Sequence, residues 1–151
     1  MAIDRRSLLL GAAAALVGMP ACADVPTALY AAARKGADGR YSVAVFTADG
    51  RDVRALALPG RGHDVTVSPV DRSCVAFARR PGNFAIAFSA ENRAPPIAFT
   101  TPADRHFYGH GVFSRDGRLL YATENDFDGA RGVIGIYDVG SGYRRIGEFP
   151  S

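Results

Sequence analysis

Apolar residues along most of this chain come in short runs rich in Val, Ile, Phe, Tyr and Ala, and each run is cut off by Gly, Pro or Asp. Runs of that length predict strands joined by tight turns rather than helices. The clearest are Ser42-Val43-Ala44-Val45-Phe46, Val75-Ala76-Phe77-Ala78, Phe84-Ala85-Ile86-Ala87-Phe88, Leu120-Tyr121-Ala122-Thr123 and Val133-Ile134-Gly135-Ile136-Tyr137. Closing strands are expected around Arg54 to Leu58, Ile97 to Thr100 and Arg144 to Phe149. These segments repeat. Gly62-His63-Asp64-Val65-Thr66-Val67-Ser68 aligns with Gly109-His110-Gly111-Val112-Phe113-Ser114, with Ser68 and Ser114 46 residues apart. Ser42 to Phe46 reads as an earlier copy of Phe84 to Phe88 and Val133 to Tyr137. A unit of about 40 to 50 residues with four strands has the period of a propeller blade. The expected fold is all-β, an incomplete β-propeller of roughly three four-stranded blades, preceded by a signal-peptide helix.

The pattern at the start of the chain is different. Arg5-Arg6 precede an apolar run from Leu8 to Val17 and a small-residue segment, Ala21-Cys22-Ala23, before Asp24. This is the layout of a cleavable signal peptide over residues 1–23, with Ala21 and Ala23 at the cleavage site and residues 24–151 as the propeller domain. A spanning helix needs about 20 apolar residues, so this run predicts no permanent membrane span. Asp4-Arg5-Arg6-Ser7-Leu8-Leu9 resembles the twin-arginine export motif, with Leu8 in place of the usual Phe and Asp4 in place of Ser or Thr. The expected route is the twin-arginine export machinery and the expected destination the periplasm. Lipid attachment at Cys22 is the alternative, although Met19 and Pro20 depart from a lipobox.

Composition narrows the function classes. The 17 Gly and 9 Pro fit many turns, and two Cys with no Trp leave no disulfide framework. Net charge is +3, but the 18 basic residues, Lys35 being the sole lysine, are interspersed with 15 acids, which excludes the clustered footprint of a nucleic-acid binder. The sequence has no Gly-x-Ser-x-Gly elbow, phosphate loop or Cys-x-x-Cys pair. Cys74, within Ser73-Cys74-Val75-Ala76-Phe77, reads as a packed core thiol. Arg79-Arg80 and Arg144-Arg145 read as solvated charges at strand ends that discourage edge pairing, with anion binding as the alternative.

Candidate chemistry centres on imidazole and carboxylate. His63 and His110 enter equivalent strands, and a propeller's innermost strands line its channel, so the two rings are expected near one mouth, with His106 as a third. Together with Asp64, Glu124, Asp126 and Asp128 they form a donor set competent for iron or another transition metal. The competing reading is structural: Gly-His at a strand start, as in WD-repeat blades, where the imidazole hydrogen-bonds within the blade. His106 and His110 would share a helical face, but Phe107-Tyr108-Gly109 favours strand or loop. Glu124-Asn125-Asp126-Phe127-Asp128-Gly129 is the densest acidic stretch. Counted from Asp126, the twelfth position of a calcium loop is Tyr137 instead of Glu, so that site fails. A solvated hairpin between the second and third strands of a blade is expected, with Gly129 and Gly132 at positive φ.

Phe113-Ser114-Arg115-Asp116-Gly117-Arg118 followed by Leu120-Tyr121-Ala122-Thr123 resembles the YVTN-type propeller blade at Ser114, Asp116, Gly117, Tyr121 and Thr123. The twin-arginine segment, Gly62-His63-Asp64 and Arg105-His106-Phe107-Tyr108-Gly109-His110-Gly111 together make the chain similar to domain-of-unknown-function family 1513. That resemblance implies an exported bacterial propeller of unassigned activity, often encoded beside iron-uptake and imelysin-like proteins. Its members run to more than twice this length, so the chain is expected to be an N-terminal portion, with completion of the ring by several copies or an open stack as alternatives. The family supplies no established catalytic residues. The functional expectation is a periplasmic binding or interaction module for a small ligand or protein partner, linked to iron or haem acquisition. The alternative is a channel-centred enzyme, a lactonase-like hydrolase or a metal-dependent oxidoreductase, drawing on His63, His110 and Glu124.

Overall fold

A computed structural model describes residues 28–80 and 82–151. The signal-peptide expectations, Arg5, Arg6, Ala21, Cys22 and Ala23 among them, lie outside the described residues. Within them the chain is all strand: β1 (Leu29–Lys35), β2 (Tyr41–Thr47), β3 (Asp52–Leu58), β4 (Gly62–Val67), β5 (Ser73–Ala78), β6 (Phe84–Ser89), β7 (Ile97–Thr100), β8 (Arg105–Phe113), β9 (Leu119–Asp126), β10 (Arg131–Asp138) and β11 (Arg144–Pro150). They form three antiparallel meanders in chain order, β1–β3, β4–β7 and β8–β11, which are three consecutive propeller blades. No helix among the described residues is long and apolar enough to cross a membrane.

Side-chain alternation explains why the sheets stack. In β5, Cys74 and Ala76 join one buried cluster with Val43 and Val45 of the first sheet, while Val75 and Phe77 join another with Phe107, Leu120 and Tyr137 of the third. A strand buried on both faces reads as a continuous apolar run, as Cys74 to Ala78 does. Burying a Phe such as Phe77 contributes about 1.5–3 kcal/mol relative to leaving it exposed. The 46-residue offset also holds in atomic detail. Ser68 N–H donates to the Ser73 carbonyl at 2.7 Å, and Ser114 N–H to the Leu119 carbonyl at 2.9 Å. Each hairpin is further tied by an aspartate, Asp71 accepting from Ser73 N–H at 3.0 Å and Asp116 from Arg118 N–H at 3.1 Å.

Strand direction assigns the positions in the first sheet. β4 and β8 run parallel, because Gly109 lies against His63 at one end and Gly117 against Val70 at the other. β1 runs the opposite way, with Ala33 against Gly62 and Leu29 sharing a pocket with Val67. β1 therefore matches β5, a second strand, and β2 and β3 match β6 and β7. This agrees with Ser42 to Phe46 as a copy of the third strand. The first blade thus has three strands where four were expected, and its innermost position is unfilled among the described residues.

Candidate ligand-binding cleft

The two inner strands are irregular where they enter their sheets. In β8 the pairing jumps from Phe107↔Glu124 to Gly111↔Ala122, so Tyr108, Gly109 and His110 stand opposite Thr123 alone. The bulge is held from across the strand: Thr123 Oγ1 accepts from His110 N–H at 3.3 Å and donates to the His110 carbonyl at 3.1 Å. Gly109 has φ +101°, a conformation that side chains rarely adopt, and a Cβ there would come within 2.5 Å of His63 Cδ2. In β4 the pairing skips His63, between Gly62↔Ala78 and Asp64↔Phe77. Bulges re-aim side chains, and these two aim His63 and His110 at each other. Their ring centres are 4.8 Å apart, edge to face at 84°.

Around this pair lies a cleft of about 610 Å³ whose walls include Tyr108, His106, Phe127, Arg79 and Arg80. His106 packs edge-on against Phe127 with ring centres 4.8 Å apart, and its Nδ1 is buried without a hydrogen-bond partner. The Arg80 guanidinium sits 4.6 Å from the centre of the Tyr108 ring, a cation–π contact. The turn carrying the two arginines is fixed by its backbone, Arg79 N–H donating to the Arg61 carbonyl at 2.7 Å and Gly82 N–H to the Arg79 carbonyl at 2.9 Å. A second cleft of about 440 Å³ adjoins the first, sharing His63 and Arg79 and adding Arg34, Lys35 and Arg61. Among the described residues no Asp or Glu lines either one.

Glu124, expected beside the histidines, is placed elsewhere. Period-two alternation along β9 puts it on the same face as Leu120 and Ala122, and it is 1% exposed. Its carboxylate accepts a fork from Arg145, Nε at 3.2 Å and Nη2 at 2.9 Å, and a third bond from the Tyr137 hydroxyl at 2.5 Å. Arg105 approaches the same group at 3.7 Å and pairs directly with Glu148, which also receives Arg145 at 2.5 Å. Beside them Asp126 accepts from Arg131 Nε and Gly129 N–H, each at 2.9 Å. Hydrogen bonds from Arg105 and then Arg145 hold the Glu148 carboxyl down at about 2. The Gly129 N–H and Arg131 likewise hold Asp126 below the usual carboxylate range. Burial, reinforced by the bond to Glu124, pushes the Tyr137 phenol far above its ordinary value.

Several expectations are corrected by this geometry. Arg145 is a partner of a buried acid rather than a solvated edge charge. Arg79 and Arg80 are exposed but turn into the cleft. The turn between β9 and β10 uses positive φ at Ala130 (48°), not at Gly129 or Gly132. Gly129 is required for another reason: a Cβ there would meet Asp126 Oδ2 at 2.5 Å. No hydrogen bond from the His63 or His110 ring is found among the described residues, and Thr123 does the tethering that the WD-like reading gave to an imidazole. Asp64 lies half-buried on β4 and does not line the histidine cleft. Among the described residues no three His, Cys, Asp or Glu side chains stand close enough to hold a metal ion. Cys74 is packed in the core at 2% exposure, with burial pushing its thiol up to about 11.

Sequence reasoning missed Tyr108 and Phe127 as cleft residues and offered anion binding at Arg79-Arg80 only as the alternative to solvated edge charges.

A family model described as "Protein of unknown function (DUF1513)" matches residues 56–151. No curated protein matches the sequence. Among solved structures, the dihydro-heme d1 dehydrogenase NirN in complex with DHE is similar at a TM-score of 0.55 and 15% identity. The match covers 81% of this chain and 27% of that one, so the chain spans about a quarter of its length. At that identity the likeness speaks for the fold.

Proposed function

The chain belongs to the DUF1513 family of proteins of unknown function, and we infer that it serves as an exported, periplasmic propeller that binds a haem-class ligand at the mouth of its inner strands. The observation that carries this reading is the convergence of His63 and His110 from adjacent blades in a cleft walled by aromatic rings and arginines. A haem presents an iron that takes imidazole, a flat apolar ring and acidic side groups, and the cleft holds a counterpart to each. The similarity to NirN, a dihydro-heme d1 dehydrogenase, points the same way. The twin-arginine-like segment at Arg5-Arg6 supports the exported location.

Geometry limits how an iron would be held. Two imidazoles on opposite sides of one metal, with metal–nitrogen distances of about 2 Å, keep their ring centres about 6 Å apart. At 4.8 Å the His63 and His110 rings are too close for that. One of them would ligate, and the other would pack against its edge. The enzymatic alternative is weaker because Glu124, the carboxylate it draws on, is fully engaged by Arg145 and Tyr137.

Titrating the purified chain with haemin tests the reading. A saturable shift of the Soret band is expected, weakened by roughly tenfold, equivalent to about 1.4 kcal/mol, in His63→Ala or His110→Ala. A spectrum indistinguishable from free haemin at all protein concentrations would sink it.

A further inference from the structure

Four of the cations at this mouth, Lys35, Arg61, Arg79 and Arg80, come from two blades, and among the described residues none of them makes an ion pair. Arg34, in the same region, is already tied to Asp52 at 2.8 Å. Lys35 ends β1, Arg61 immediately precedes β4, and Arg79-Arg80 follow β5, so the second-strand ends and an inner-strand start deliver their charges to the same rim. Two of these charges are held on aromatic faces. Arg80 lies over Tyr108 at 4.6 Å, and Lys35 lies 5.7 Å from the centre of the Tyr41 ring. Arg61 and Arg79 are joined through their backbones at 2.7 Å. Unpaired cations with restrained geometry lose less side-chain freedom on meeting an anion than free surface arginines do. With no carboxylate lining either cleft among the described residues, nothing described in the walls competes for them.

We propose that this rim selects its ligand by charge, recognising a molecule that carries several carboxylates distributed across both clefts, with Arg79 and Arg80 as the main specificity determinants. Arginine is suited to the task because its planar fork meets a carboxylate through two parallel hydrogen bonds. Arg79 belongs to both cleft walls, so a ligand with a single acidic group would use only part of the rim. The inference rests on the cleft reading above and narrows it. The acidic groups set affinity, and the imidazoles contribute a contact at the centre.

The test compares three metal-free porphyrins by fluorescence titration of the full chain: the octacarboxylate uroporphyrin, the dicarboxylate protoporphyrin and protoporphyrin dimethyl ester. Affinity is expected to fall in that order. For uroporphyrin it should also fall as ionic strength rises from about 0.05 to about 0.5 M, which shortens the screening length from more than 10 Å to about 4 Å. Arg79→Ala/Arg80→Ala should weaken uroporphyrin by roughly tenfold or more and leave the ester unchanged, and Arg80→Lys should restore part of the loss. An unchanged unfolding midpoint shows that the variants fold. Equal binding of all three porphyrins without salt dependence would overturn the inference and leave haem-class binding standing. If no porphyrin binds, benzenehexacarboxylate is titrated by calorimetry. Salt- and arginine-dependent binding of it keeps the charge-selective rim and no binding overturns it, while the haem reading is decided by the haemin titration.

Discussion

Blade 3 and the inner-strand mouth use the same residue types to opposite ends. In the blade, Arg105, Arg131 and Arg145 meet Glu124, Asp126 and Glu148, and each of these acids has an arginine within 4.0 Å. At the mouth, Arg80 lies over Tyr108, Arg79 and Arg80 share the walls with histidine and phenylalanine, and no acid lines those walls among the described residues. A buried charge without a partner is costly, and each acid of the cluster is accordingly paired with an arginine, while Arg105 Nε is buried without a hydrogen-bond partner. An exposed cation costs little without a partner, so the mouth can leave its arginines open. Electrostatics alone therefore separates a region that holds the blade together from one available for recognition.

Glu124→Ala should make that contrast sharpest. It strips a bidentate partner from Arg145 and a hydrogen bond from Tyr137 inside the blade, and should cost about 3–5 kcal/mol in urea unfolding. Arg79→Ala/Arg80→Ala should stay within about 0.5 kcal/mol per site in the same assay. Similar losses in the two variants would break the comparison.

Gly109→Ala tests whether the bulge, rather than the mere presence of the histidines, builds the mouth. A Cβ at φ +101° and 2.5 Å from His63 Cδ2 strains the backbone and displaces the imidazole. The expected cost is about 1–3 kcal/mol, together with loss of the haemin spectral shift. Normal haemin binding by this variant would show that the His63–His110 contact is not needed.

The smallest effect is with pH. Glu148, held down at about 2, and Asp126, also held down, are ionised more readily in the folded chain than in the unfolded one. Their contribution is fully present above the unfolded carboxylate range near about 4 and is lost as pH falls towards 2. Glu148→Gln should flatten the acid limb of a stability–pH profile, whereas His63→Ala should leave that limb unchanged. An acid limb unaltered by Glu148→Gln would place the acid-sensitive contacts outside the cluster.

The sequence disclosed what depends on period and turn chemistry. Apolar runs ended by Gly, Pro or Asp located most of β2 to β11, and the Ser68–Ser114 offset located the blade repeat. β1 was overlooked because Leu29-Tyr30-Ala31-Ala32-Ala33-Arg34-Lys35 has low strand propensity; packing against Gly62 and Val43 overrides it. The convergence of His63 and His110 was readable from their equivalent positions. Glu124 was misjudged because its acidic neighbours Asp126 and Asp128 suggested solvent. The two-residue rhythm Leu120-Ala122-Glu124 placed it inward, but its partners Arg105 and Arg145 come from strands 19 and 21 residues away in sequence. Long-range pairing of that kind carries no local pattern.

The first blade has one more consequence. β1 pairs with β2 on one side, and on its other side no described strand covers its backbone N–H and carbonyl groups. The direction required of a newcomer is set: antiparallel to β1 and parallel to β4 and β8. An edge of this kind is a template for another strand, here with a defined polarity and a short, alanine-rich face beside it. Any strand that joins this edge, from outside the described residues or from another chain, must run in that one direction and would extend the sheet next to the mouth.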